Sequence, residues 1–564
     1  MDSGTVTKGD VKGGWNAAIF IIFVEMAERF AYYGLAGNLI TYLTKDLGQP
    51  LATAAQNVNL WSGISAIFPL IGAFVADSYL GRFRTILISS VIYLVGLIFL
   101  TLSVSVIPPL HRQASFFTAL YMVAVGEGGH KPCVQTFAAD QFNEEVEEEK
   151  MAKSSFFNWW YQGITIGATT AVFVVVYLED NVSWTVGIGV PAAAVGLASG
   201  LLVIGARRYR REGPPGSPFT RIVQVLVSAF RKRRLREARD GRGIYYEDVI
   251  VDGSRSWSST ASMSRTPQFR WLDKAAVIDD VDAAGKSRDP WRLCPVNQVE
   301  EMKSVLQLMP IWVCCLMFAV VQAQMHTFFT KQGSTMDTSI GPSFHFSPAS
   351  LQGLVGITIL ITVPIYDRVF VPLARKITKH PSGITMLQRI GFGLVLSILN
   401  MVVSALVETR RVEVARKHGL RGLLKGIVPM RIWWLLPQYV LCGASDVFAI
   451  VGLQELFYDQ MPPIMRSVGA GIYISVVGFG SILSTAIIPI IKMASRRWGD
   501  EWLVDNLNEA HLDRYYWVLA TLSAFNFGGF LLVARRFVYN RRPADPKEQV
   551  HEAELGFKPG TNDP

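Results

Sequence analysis

The sequence predicts an all-α integral membrane protein with about twelve transmembrane helices in two bundles of six, on three observations. Apolar runs of about twenty residues recur along the chain, each long enough to cross roughly 30 Å of hydrocarbon. Of the 564 residues, 50% are hydrophobic and 18% charged, whereas soluble domains carry roughly 25% charge. The runs fall into two groups of six around a polar stretch, 207–300. Together these exclude a soluble globular protein.

The spans read 16–44, 59–79, 84–106, 115–138, 155–178 and 185–206 in the first half, and 303–329, 350–372, 387–408, 432–457, 467–492 and 515–539 in the second. This divides the chain into 1–206, a first bundle; 207–300, a cytoplasmic linker; 301–541, a second bundle; and 542–564, a cytoplasmic tail. The N-terminus is short and polar and lacks a small-residue cleavage site after an apolar core, so the first helix is expected to serve as the insertion signal.

Orientation follows from basic residues. The linker carries Arg207, Arg208, Arg210 and Arg211, then Arg231, Lys232, Arg233, Arg234, Arg236 and Arg239. Such a block beside a membrane helix stays in the cytosol. The loops with Arg82 and Arg84, and with Arg368, Arg375, Lys376 and Lys379, then face the cytosol too. Topology accounts for the net charge of +9, and no nucleic-acid partner is expected. One loop disagrees: 409–431 falls outside, yet holds Arg410, Arg411, Arg416, Lys417, Arg421, Lys425 and Arg431.

Within the linker, 218–239 has Ile222, Val223, Leu226 and Phe230 on one apolar helical face. It reads either as a helix on the membrane surface or as one packed against the transporter. Residues 253–268 read as a disordered segment, either an unmodified linker or one open to a kinase. The halves echo each other weakly: GAFVADSYLGRFR follows the second span and PIYDRVFVPLARK the eighth. Repeated six-helix halves joined by a cytoplasmic linker are the layout of the major facilitator fold, whose substrate site lies near the midplane between the halves.

Charges inside the spans carry the functional signal. The first span contains Glu25, Glu28, Arg29, Tyr32 and Tyr33. An ionised residue at that depth costs several kcal/mol unless paired or hydrated. Two acids sharing Arg29 leave one carboxylate short of a partner and make it a candidate proton carrier. The alternative is a static ion cluster that fixes packing. The fourth span has Glu127-Gly-Gly-His130-Lys131-Pro132. Lys131 needs a carboxylate partner or an anionic substrate, and Asp446, deep in the tenth span, is the candidate. His130 reads as a neutral hydrogen-bonded side chain or a relay. Gln322 and His326, four apart in the seventh span, share a face and line the pathway or bond helix to helix. Trp159, Trp160 and Tyr161 form an interfacial belt or a pocket wall.

The five cysteines read as apolar packing residues without metal-ligand spacing. There is no phosphate-binding glycine loop, metal cluster or nucleophile elbow, so no enzyme and no cofactor are expected. A carrier without an ATP site needs an ion gradient, and the buried carboxylates point to co-transported protons.

EMAERFAYYG resembles the ExxER motif of proton-dependent oligopeptide transporters. EGGHKPCVQTFAADQF and FFNWWYQGITIG, with PIYDRV, LQRIGFG, LPQYVL and DNLNEAHLDRYYW, resemble the plant nitrate and peptide transporter family, in particular its fifth subfamily. The resemblance covers about 15–540 and implies a proton-coupled symporter with alternating access. It implies proton coupling for Glu25, Glu28 and Arg29. It implies substrate or gating roles for Lys131, Asp446 and Gln322, with Tyr33 and His326 as further candidates. Asp446 stands where most members have a glutamate paired with the fourth-helix lysine. Gln322 stands where a nitrate carrier of the family has a nitrate-contacting histidine, which weakens that binding mode. Nitrate is the first substrate reading, di- or tripeptides the second, and a plant hormone or specialised metabolite the third. A nutrient sensor with the linker as output is the reading from another class. The expected location is the plasma or the vacuolar membrane.

Overall fold

The computed structural model describes residues 13–143, 146–211, 213, 216, 218–235, 246, 265–279, 282, 289–340, 344–378, 384–420, 423, 426–462, 465–497, 499 and 501–539. The tail 542–564, most of the 253–268 segment, and Arg236, Arg239, Lys379, Arg421 and Lys425 lie outside the described residues.

Nine helices among the described residues are long and apolar enough to cross a bilayer. They are α2 (Leu51–Leu80), α3 (Arg82–Ser105), α5 (Ser155–Asn181), α6 (Trp184–Arg207), α8 (Pro348–Lys376), α9 (Met386–Lys417), α10 (Ile432–Gln460), α11 (Val468–Arg497) and α12 (Leu512–Arg536). A tenth, α7, is the pair Val296–Cys314 and Leu316–Gly333, bent by 43°. At the bend, Asn526 of α12 donates to the Cys314 carbonyl at 2.6 Å, which satisfies an acceptor the broken ladder leaves open. Two further helices of 31 residues, α1 (Trp15–Lys45) and α4 (Pro109–Ala139), complete twelve. These two are less apolar because they carry Glu25, Glu28 and Arg29, and Glu127, His130 and Lys131. The helices least suited to lipid are those holding the charge cluster.

Two boundaries differ instructively from the sequence reading. α2 starts at Leu51 rather than 59, since Leu51, Ala52, Ala54, Ala55 and Val58 are a buried helical stripe that Gln56, Asn57 and Asn59 hide from hydropathy. α9 runs to Lys417 rather than 408, which explains the basic outer loop. Arg411 is buried against Glu408, and Arg410 and Lys417 both pair with Glu413. Three of the loop's cations thus share two carboxylates on the same helix, which lowers the charge the loop presents. The echo between the halves also takes physical form: π-turns at Ala76–Leu80 and Tyr366–Phe370 interrupt corresponding helices.

The halves touch along α2 and α11, where Gly63 and Gly478 allow backbone contact. A Cβ on Gly478 would lie 2.8 Å from the Gly63 carbonyl oxygen. Toward the outer ends, hydrogen bonds cross between the halves. Asn59 donates to Ser484 at 3.0 Å, the Leu51 amide to Asp505 at 2.7 Å, and Lys331 to Thr44 at 3.0 Å. Gln352 donates to the Gly37 carbonyl at 2.8 Å, and Ser350 to the Val172 carbonyl at 3.0 Å. Asp180 accepts from Asn38 at 2.9 Å on its own side and from Ser347 across the gap. These bonds tie the two halves together at this end, which is the outer end on the orientation read from the basic loops.

The linker's described portion packs on the protein. Helix Pro218–Arg231 buries Val225, Ser228 and Ala229. It is bound to α7 by Arg221–Glu301 at 3.0 Å, and Lys232 just beyond it pairs with Asp282 at 2.6 Å.

Candidate functional site

α1 places Glu25, Glu28 and Arg29 on one face because residues three and four apart align on a helix. Arg29 Nε donates to Glu25 Oε1 at 2.8 Å and lies 3.1 Å from Glu28 Oε2. The second contact is not aligned as a hydrogen bond, and both Glu28 oxygens are buried without one among the described residues. One cation thus serves two carboxylates, as the spacing predicts. Glu28 is the less satisfied of the two in hydrogen bonds.

α4 faces this cluster. Gly72 of α2 packs directly on the α4 backbone: a Cβ there would lie 2.1 Å from the Gly128 carbonyl oxygen. The Glu127-Gly-Gly-His-Lys segment is thereby held at the depth of Arg29. Lys131 does not meet Asp446, as the sequence suggested. Its Nζ contacts Glu127 Oε1, one turn earlier on α4, and sits 4.0 Å above the Tyr32 ring. The reason is proximity. An i, i+4 carboxylate costs little to reach, whereas Asp446 belongs to the opposite half and is bonded to Gln322. Sequence reading quoted Glu127 but gave it no role, although its spacing from Lys131 was the available signal. Tyr32 stacks on Trp61 (5.7 Å) and meets Tyr33 edge to face (5.3 Å), which anchors the aromatic floor under Lys131. His130 is buried, with Nδ1 lacking a hydrogen-bond partner among the described residues.

Across the gap, Asp446 accepts from Gln322 Nε2 at 2.7 Å. The Gln322 amide also reaches the Cys442 carbonyl at 3.2 Å and Ser445 Oγ at 3.4 Å, and the Cys442 thiol contacts its oxygen. Gln322 is thus committed to α10. Asp446 has no cationic partner among the described residues.

Gln322 and His326 do not act together. A π-turn, Met325–Phe329, follows Gln322 and changes the register of the side chains. His326 Nδ1 lies 2.8 Å from Gln352 Oε1. Gln352 in turn donates to Gly37 of α1, so His326 belongs to the outer closure. Trp160 is buried against Phe156, while Trp159 and Tyr161 are exposed.

Sequence reading missed a second buried charge pair near the outer end. Arg411 donates to both Glu408 oxygens, at 2.8 and 2.6 Å, to Asn508 at 2.8 Å and to the Leu507 carbonyl at 2.6 Å. Among the described residues no His, Cys, Asp and Glu group could hold a metal ion.

Comparison with known proteins places this geometry. Residues 83–504 match the PTR2, or POT, family. The chain is 54% identical over 542 residues to NRT1/PTR family 5.4 of Arabidopsis thaliana, covering 96% of this chain and 98% of that one. It is 49% identical over 547 residues to NRT1/PTR family 5.10 of the same plant, covering 94% of each. Its fold is similar to that of an auto-inhibited POT family peptide transporter, with a TM-score of 0.72 at 21% identity over 94% of this chain and 99% of that one. It is also similar to the POT family transporter PepTSo, with a TM-score of 0.69 at 20% identity over 92% and 98%. With a major facilitator fold and relatives spanning nearly its whole length, the chain belongs to the POT family of membrane transporters, beside its NRT1/PTR members of the fifth group.

Proposed function

We propose that the chain is a proton-coupled symporter of a small polar solute with both an amino and an anionic group. The observation that carries this is an imbalance of charge. Within the spans, Glu25, Glu28 and Glu127 share the cations Arg29 and Lys131 in the first half, and Asp446 in the second half bonds Gln322 and has no cationic partner among the described residues. Acids in excess of bases at membrane depth are sustained by protonation, at several kcal/mol for each uncompensated charge. Protons are then cargo as well as charge balance, and no cofactor takes part.

A proton from the outer or luminal side neutralises the Glu25/Glu28 pair and loosens its hold on Arg29. The anionic end of the solute engages Arg29 or Lys131, displacing Glu127. Its amino end meets Asp446, with Tyr33 and Gln322 beside the path. The halves rock, the outer closure forms, and release to the cytosol lets the ion pairs return.

Nitrate is the second reading. Arg29 and Lys131 suit it, but Asp446 would repel it and Gln322 brings no positive charge. Nitrate would therefore be held on the first half, with enough carboxylates protonated to offset the surplus. The peptide-like reading reverses the order the sequence suggested, because Asp446 is left without a cation when Lys131 turns to Glu127.

The test is proton-driven uptake in oocytes or vesicles with dipeptides, nitrate and hormones side by side, comparing the native chain with Glu28→Gln. Dipeptide uptake that follows the proton gradient and is lost in Glu28→Gln, with solute exchange retained, is expected. Proton-driven uptake in Glu28→Gln at the native rate would sink the coupling. Binding without flux would favour the sensor. A fluorescent fusion in plant cells distinguishes plasma from vacuolar membrane.

A further inference from the structure

We propose that the linker helix Pro218–Arg231 docks on the cytoplasmic leaflet of the bilayer and recognises anionic lipid headgroups. The helix has two apolar faces. Val225 and Ala229 are buried with Leu272, Ala275, Ala276 and Val299 of the chain itself, and Ser228 is buried against Cys294. Val223, Leu226 and Phe230 repeat at helical spacing on another face and are exposed, Phe230 by 64%. A helix that needed only the protein would not carry the second stripe.

The exposed stripe is continuous with a groove of about 760 Å³ lined by Leu226, Phe230, Trp271, Arg231, Arg233 and Lys274. Trp271 is 51% exposed, an amphipathic ring suited to a membrane interface. Arg233 lies over the Phe230 ring at 4.1 Å, and Arg234 extends the basic rim. Among the described residues no carboxylate pairs with Arg233, Arg234 or Lys274. Asp289 is the acid at the rim, 3.5 Å from Arg231. Apolar residues edged by Arg233, Arg234 and Lys274, which no carboxylate pairs among the described residues, match the boundary between acyl chains and anionic headgroups.

The position fits. The Gly216 amide bonds the Asp77 carbonyl at the cytoplasmic end of α2, and Arg221 pairs with Glu301 of α7. The helix therefore starts where two spans leave the membrane, and a soluble partner would have to compete with the bilayer for this face.

The experiment uses the full chain with a bimane probe at Leu226→Cys, and separately at Phe230→Cys, since the five native cysteines are buried. Nanodiscs of phosphatidylcholine, with or without phosphatidylserine, carry a headgroup-level spin-label quencher. The expected result is quenching at both sites that strengthens with phosphatidylserine. Arg233→Glu with Arg234→Glu should weaken it by about tenfold in apparent lipid affinity, and high salt should do the same. Quenching indifferent to phosphatidylserine and to charge reversal would overturn the proposal. So would the absence of quenching at both sites in either nanodisc. Transport is not the readout, so failure here is separate from failure of the symport reading.

Discussion

Asp446 takes a 2.7 Å hydrogen bond from Gln322 and leaves Lys131 to Glu127. On the proposed symport reading, Gln322 then sets what Asp446 offers the cargo. Gln322→His would place an ionisable donor beside Asp446 and neutralise the carboxylate that repels small anions. Nitrate uptake relative to dipeptide uptake should rise by about tenfold, the effect of roughly 1.4 kcal/mol of differential binding. Paired uptake measurements check this; an unchanged ratio would remove Gln322 from cargo selection.

The Lys131–Glu127 pair predicts an asymmetry. Glu127→Gln leaves a lysine without its carboxylate near the midplane, a loss of about 3 kcal/mol or more. Lys131→Met with Glu127→Gln removes both charges and should recover much of that stability without restoring transport. Thermal unfolding in detergent, alongside uptake, separates the two effects.

The Arg411 network should be the stiffest part of the outer end. Arg411→Met strands Glu408 and breaks the bonds to Asn508 and the Leu507 carbonyl, and about 3–5 kcal/mol of stability should be lost. Hydrogen exchange should rise in 501–511 before it rises in α1. Uniform exchange across both would show that the network is not a local anchor.

Outer closure rests partly on Asp180, which holds Asn38 on its own half and Ser347 on the other. Ser347→Ala removes the link between halves while keeping Asp180 bonded to Asn38. The population should shift toward outward-facing by a few-fold, consistent with about 1 kcal/mol for one hydrogen bond. Distances between spin labels on the outer ends of α1 and α7 would report it, and an unaltered distribution would rule out Asp180 as a latch.

Outside the membrane, Arg210 grips Glu149 with two hydrogen bonds, 2.7 and 3.0 Å, and the Asn143 amide adds a third. Arg210 first, then Asn143, hold the Glu149 carboxyl below its ordinary value. Because the folded-state value is depressed, this stabilisation is present above the unfolded carboxylate value and disappears as pH falls through the folded one. Glu149→Gln should destabilise by about 1 kcal/mol near neutrality, since the pair is partly exposed. Native and variant proteins should converge in acid, and a gap in melting temperature that persisted there would contradict the assignment.

The span count, the polar stretch between the halves and the cluster at Glu25, Glu28 and Arg29 were legible in the sequence. Lipid demands long apolar runs, and residues three or four apart on a helix must be neighbours. The Glu127–Lys131 pair was legible by the same rule, but the rule does not choose between a near partner and a distant one. Partners on different helices were not legible. Asp446 with Gln322, His326 with Gln352 and Asp180 with Ser347 depend on how the bundles cross and which end is closed, and no local periodicity encodes that. Of the basic loop at 409–431, the tertiary structure pairs Arg410, Arg411 and Lys417 with Glu408 and Glu413. The sequence by itself determined that this chain spans the membrane and places charges inside it. The tertiary structure alone decided which charges meet, because in a low-dielectric interior an ion pair depends on contact distance rather than on position in the chain.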